Sequence, residues 1–160
     1  MKLALKSLLA TVVLPGTITG FVPWAYYGLS GVDVRSLRPL QLAGFPMLVF
    51  GALVLLTCIW EFARKGKGTL APVDPPKHLV IEGLYRYVRN PMYVAVITIL
   101  LGELLLVWTK SFAAYVAFVV VAVNVFVMGY EEPTLRRLFG REYEEYCRRV
   151  GRWMPRLGPL

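Results

Sequence analysis

Histidine and cysteine are almost missing from this sequence. His78 is the only histidine, and Cys58 and Cys147 are the only cysteines. That excludes a disulfide framework and most cysteine-based metal sites. One histidine and two distant cysteines also complete a zinc site poorly, so no metal is expected. Charge is scarce as well. Charged residues make up 18% of the chain, and only ten of them are acidic. Hydrophobic residues reach 57%, against a globular norm of about 45–50%, and mean hydropathy is +0.57. A disordered chain is therefore excluded. An ordinary water-soluble domain is also disfavoured, because 160 residues enclose too little interior to hide that much apolar surface. Lipid is the expected solvent.

What the sequence does have is long apolar runs. A membrane span needs about 20 apolar residues, and four stretches qualify: Leu8 to Leu29, Leu40 to Phe62, Pro91 to Trp108 and Phe112 to Tyr130. The first has two readings. Lys2 and Lys6 ahead of an apolar run also suit a signal peptide. No clear small-residue cleavage pattern follows, however, and Phe21, Trp24, Tyr26 and Tyr27 suit an interfacial aromatic belt. The basic residues sort by side. Fifteen of the eighteen Lys and Arg lie in the N-terminus, between spans two and three, or in the tail, while Arg35, Arg38 and Lys110 lie opposite. The positive-inside rule then puts both termini in the cytosol. The net charge of +8 is read as a topology signal, with no nucleic-acid partner, although tail arginines are placed to meet anionic headgroups of membrane lipids. The expected fold is an all-α integral membrane protein. It has about four transmembrane helices plus a cytosolic amphipathic C-terminal helix, in a single domain.

The unusual polar sequence falls in two cytosolic pieces. Gly66, Gly68, Pro72, Pro75 and Pro76 favour an irregular connection. After it come His78-Leu79-Val80, Gly83-x-Tyr85 and Arg89-Asn90-Pro91-x-Tyr93. Asn90 is a good helix cap and Pro91 suits the first turn of span three, whose positive end would accept a carboxylate or phosphate. The second piece runs from Glu131 to Arg156. Pro133 is expected to open a new helix with Glu131 and Glu132 at its entrance. Leu135, Leu138, Phe139, Tyr143, Tyr146 and Val150 form an apolar stripe, and Gly140 interrupts it. This helix reads either as an interfacial helix or as a lid. Glu103, within span three, should face the bundle or a water-filled cavity, where it is either functional or paired with Asn124 or Thr109. Glu61, near the end of span two, is expected to reach the interface without a special role.

At these residues the chain resembles the isoprenylcysteine carboxyl methyltransferase and phospholipid methyltransferase superfamily, small integral membrane enzymes that use S-adenosylmethionine. The matching motifs are His78-x-Val80, Gly83-x-Tyr85, Arg89-Asn90-Pro91-x-Tyr93, and Glu131-Glu132 followed by Leu135, Phe139-Gly140, Tyr143 and Tyr146. They cover about half the chain, from His78 to Arg156. The resemblance implies a cofactor pocket formed by both cytosolic pieces, with His78, Leu79, Val80, Gly83, Tyr85, Arg89, Asn90, Pro91, Tyr93, Glu131 and Glu132 at cofactor-binding positions. Glu131 would pair with the cofactor ammonium, and Tyr85 or Tyr93 would offer an aromatic face. There are two departures. Family members commonly have His where Asn90 stands, and Asn does not titrate near neutrality. The carboxyl methyltransferases also carry an Arg before the acidic pair, where this chain reads Val125-Phe126-Val127-Met128. Arg152 is a possible substitute off that register, and with Glu131 it is the candidate for a catalytic role.

The implied chemistry is methyl transfer to a lipophilic or lipid acceptor, driven by alignment and the exclusion of water. A carboxylate acceptor needs no base. An amine or phenol does, and Glu131, Glu132 or a tyrosine could supply it. The rivals are a membrane oxidoreductase of sterol-reductase type using NADPH, which generally has a larger membrane region, and a non-catalytic membrane module. A transporter is disfavoured by the lack of matched halves.

Overall fold

Helices dominate as the composition requires. The computed structural model describes residues 13–30, 39–65, 79 and 81–156. Among the described residues there is no strand, only a single parallel bridge between Val88 and Gly151. Helix α1 covers residues 13–30 and contains a π-helical turn, Thr17–Phe21. A short 3-10 turn, Gln41–Ala43, leads into α2, Gly44–Lys65. A second 3-10 turn, Gly83–Arg86, precedes α3, Pro91–Val107. Then α4, Lys110–Phe126, runs through a π-helical turn, Val127–Glu131, into α5, Glu132–Arg149.

Two of these helices are long and apolar enough to cross a membrane: Gln41–Glu61, and the 40-residue run Lys110–Arg149, whose apolar part ends at Tyr130. The third, α3, is apolar but has 17 residues, about 25 Å of helix at 1.5 Å per residue. Phe45, Val49, Leu53, Leu56 and Trp60 stand exposed along one side of α2, as do Phe118, Val121 and Val125 on α4. Outward apolar faces of that extent suit hydrocarbon rather than water.

Close approach of α2 and α3 depends on glycine. A Cβ on Gly44 would lie 2.5 Å from the Gly102 carbonyl, and one on Gly102 would lie 2.9 Å from the Gly44 carbonyl. Small residues are how helices pack tightly where lipid offers no hydrophobic drive. On the other face of α3, Val96 and Leu100 join Phe112, Val116, Val119, Val123 and Val127 of the α4 segment in one buried cluster. Helix α1 closes this layer. Tyr26 and Tyr27 pack on Phe112 with ring centroids 5.3 and 5.8 Å away. The Tyr26 hydroxyl lies 2.6 Å from Thr109 Oγ1, and the Tyr115 hydroxyl donates to the Ile18 carbonyl at 2.8 Å.

Pro133 does not open a separate helix. The chain stays helical through the wide turn before it, with the Glu132 amide donating to the Val127 carbonyl. The turn of α1 does the same before Pro23, with the Val22 amide donating to the Thr17 carbonyl. In both places a π turn ends two residues ahead of a proline. The physical reason is common to both: proline lacks an N–H and crowds the carbonyl four residues back, and a widened turn relieves that without ending the helix. Gly140 does bend α5, with φ 49° and ψ −122°. The bend breaks the expected stripe. Tyr143, Tyr146 and Val150 are buried with Leu79, Leu135 and Phe139 against them, but Leu138 is exposed.

Candidate functional site

The turn before α3 and the residues after α5 are stitched together. The Arg89 amide donates to the Gly151 carbonyl at 2.9 Å, beside the Val88–Gly151 bridge. Asn90 occupies the N-cap position of α3, yet its side chain makes no capping hydrogen bond there. Its Nδ2 donates instead to the Arg152 carbonyl at 3.2 Å. The expected cap is thus replaced by a tie to the tail, since a carbonyl from residue 152 lies within reach. The Tyr146 hydroxyl donates to the Tyr85 carbonyl at 2.7 Å and secures the same turn from α5.

The acidic pair divides between two settings. Glu131 ends the π turn and faces α3, where the Tyr93 hydroxyl donates to its Oε2 at 3.1 Å. Burial pushes the Glu131 carboxyl above its ordinary value, and the negative charge of Glu132 adds to this. Glu132 points toward the tail. Arg152 donates to it through Nε at 2.7 Å and through an NH2 group at 2.8 Å, and Arg89 lies 3.2 Å away. Burial alone would raise the Glu132 pKa, but the Arg152 hydrogen bonds and the charges of Arg89, Arg152 and Arg136 outweigh it and hold the group below 4.5. A group lowered on folding adds stability above its unfolded value and loses it as pH falls through its folded value. In thermal unfolding of the detergent-solubilised protein, the Glu132 contribution is therefore expected to hold down to about pH 5 and to be lost along an acid limb below 4.5, against the opposite, stabilising effect of protonating the raised Glu131 carboxyl. Glu132→Gln is expected to flatten that acid limb, and an unchanged limb in the variant would remove Glu132 as its source.

Between α1, α3 and α4 lies a cavity of about 730 Å³. One end carries Tyr85, Arg89, Asn90, Tyr93 and Glu131, and the remaining wall is mostly apolar, with Ile18, Val22, Phe118, Val119 and Val123 among its residues and the hydroxyls of Thr17 and Tyr115 bonded to backbone carbonyls. Arg89 is nearly buried, and its Nε–H has no hydrogen-bond partner; another of its nitrogens donates to Cys147 Sγ. The Tyr85 phenol is pushed well above its ordinary value, first by burial, so it is neutral at physiological pH.

Of the residues singled out in the sequence, Tyr85, Arg89, Asn90, Tyr93 and Glu131 therefore share one cavity. Glu132 and Arg152 are engaged with each other beside it. Pro91 is buried at the start of α3. Leu79 packs on Tyr143, Tyr146 and Val150, and Gly83 abuts Glu61. His78 and Val80 lie outside the described residues. Glu103 pairs with neither expected partner. Asn124 donates to the Val120 carbonyl, Thr109 engages Tyr26 and Phe112, and the buried Glu103 Oε2 has no hydrogen-bond partner. Sequence reading missed the contribution of α1 to the cavity wall, since apolar residues of a span carry no mark of what they face.

Comparison with known proteins matches the site's elements. The model of the phospholipid methyltransferase family matches residues 40–142, from the turn before α2 into α5. The chain belongs to this family. Within the wider superfamily, it is 30% identical over 115 residues to protein-S-isoprenylcysteine O-methyltransferase B of Arabidopsis thaliana, covering 70% of this chain and 57% of that protein. It is 35% identical over 115 residues to a probable protein-S-isoprenylcysteine O-methyltransferase of Oryza sativa subsp. indica, covering 70% of this chain and 59% of the relative. The chain thus spans less than two thirds of the curated relatives it matches. No solved structure matches it significantly.

Proposed function

We propose that this protein is an S-adenosylmethionine-dependent methyltransferase acting on a lipophilic acceptor at the cytosolic membrane face, with both termini cytosolic. The observation that carries the reading is the Tyr93–Glu131 contact at the polar end of a cavity whose other walls are mostly apolar. Family membership and the names of the relatives support methyl transfer, and the placement of basic residues supports the orientation.

The donor groups fit the cofactor. Glu131 presents a carboxylate for an ammonium. Arg89 offers a buried N–H that lacks an acceptor, suited to a carboxylate. Tyr85 and Tyr93 place phenol rings on the same cavity, suited to an adenine or a sulfonium. Bound there, S-adenosylmethionine supplies an electrophilic methyl on a sulfonium leaving group. The chain's own part is to orient the reactants and exclude water. The apolar walls hold the greasy portion of the acceptor and keep its nucleophile at the polar end. For the acceptor, Arg152 already faces Glu132 and the free N–H of Arg89 is taken by the cofactor carboxylate, and Phe126 and Val123 supply no cation. An acceptor with a neutral nucleophile fits that wall better than a free carboxylate.

The test is incubation of the detergent-solubilised protein with methyl-labelled S-adenosylmethionine and a lipid extract. Label is expected in an organic-phase product. Absence of transfer, together with tight NADPH binding, would replace this reading with the oxidoreductase one.

A further inference from the structure

Gly83 has a φ of +62°, in the left-handed region that favours glycine. A second constraint comes from another helix. A methyl group built on Gly83 would overlap Glu61 Oε1 and lie 2.5 Å from Oε2. Glu61 stands near the end of α2, one turn beyond the fully buried Cys58. Gly83 begins the 3-10 turn whose third residue, Tyr85, reaches the cavity. On its other side the turn is held by the Tyr146 hydroxyl on the Tyr85 carbonyl. Among the described residues, none from α2 lines the cavity.

From this juxtaposition we infer that Glu61 is a positioning residue: its side chain is the stop against which the Gly83–Tyr85 turn is seated. Glu61 of α2 thereby sets the place of Tyr85 without itself lining the cavity. Seating by shape explains why position 83 is glycine on two counts, backbone conformation and the space already filled by Glu61. Glu61 and Gly83 are both half-buried, and close-packed contacts of this kind are sensitive to single groups. The inference builds on the cavity being the methyl-donor site, so its test has one arm that does not need that reading.

That arm is hydrogen exchange on the full chain in detergent, with no ligand added. Glu61→Ala is expected to speed exchange of amides 83–87 by roughly tenfold, about 1.4 kcal/mol of local opening, while α3 and α4 keep their protection. Glu61→Gln, which keeps the shape, is expected to restore slow exchange. The second arm is kinetic. Glu61→Ala is expected to raise KM for S-adenosylmethionine about fivefold with kcat held within about twofold. Gly83→Ala is expected to be worse, and adding Glu61→Ala to it is expected to recover part of the loss, because the overlap disappears. Unchanged exchange in Glu61→Ala, or strictly additive losses in the double variant, would overturn the positioning role. If the wild-type protein transfers no methyl group, the functional reading fails, and exchange in the same single and double variants still decides this one.

Discussion

Glu132→Ala is expected to lower the unfolding free energy by about 3 kcal/mol, the scale for removing one partner from a buried ionic cluster. The Glu132 side chain is 4% exposed and carries two hydrogen bonds from Arg152, with Arg89 at 3.2 Å and Arg136 at 4.0 Å. Its removal leaves Arg89, itself only 10% exposed, beside a second guanidinium with nothing between them. Because Arg152 and Gly151 are what the Arg89–Asn90 turn bonds to, the tail is expected to come away before the membrane helices separate. Thermal unfolding in detergent micelles measures the loss. Proteolysis of the folded protein should cut near residues 150–156 in the variant alone. A loss under about 1 kcal/mol, in the range of an exposed ion pair, would mean that the cluster does not hold the tail.

Glu131→Gln is expected to behave in the opposite way, keeping stability and losing affinity. Its carboxylate is held above the ordinary range mainly by burial, so removing the charge relieves a desolvation penalty rather than breaking an ion pair. Its proposed partner is the cofactor ammonium. Loss of a charge-assisted hydrogen bond, about 1.5–3 kcal/mol, corresponds to roughly 10- to 100-fold weaker S-adenosylmethionine binding by calorimetry. Tyr93→Phe keeps the ring and removes the hydroxyl that donates to Glu131. Its expected effect is smaller, about 3- to 10-fold. Unchanged affinity in Glu131→Gln would reject the pocket. Adjacent acids that fail by different routes, one in stability and one in binding, would separate the two settings cleanly.

Much of this arrangement is legible in the sequence because the residues that carry it are polar in an apolar chain. Tyr93 and Glu131 stand at the ends of two apolar runs that the charge pattern sends to the same side, and they meet at 3.1 Å. What is hidden follows physical rules too. Asn90 looks like a cap, and nothing local reveals that a carbonyl 62 residues away competes for its amide. Glu61 looks like an interfacial acid, because the turn it abuts belongs to another segment. Glu131 and Glu132 are neighbours that read as one unit, yet side chains about 100° apart around a helix face different surroundings. The prolines at 23 and 133 announce a disturbance without saying that it takes the form of a wide turn.

That wide turn at Val127–Glu131 holds one residue more than an ordinary helical turn and so gives the site slack in chain length. Gly129 within it has open space where a Cβ would go, so a side chain there meets no obstacle. Dropping the residue altogether would reset the turn to ordinary pitch, with four residues spanning what five span now, and leave everything downstream near its present heading. The regular helix Lys110–Phe126 before it has no such slack: a deletion there would rotate both carboxylates by about 100°, past their present neighbours. For this stretch of the protein, a one-codon deletion inside the turn is the mild lesion and the same deletion a few codons away the severe one.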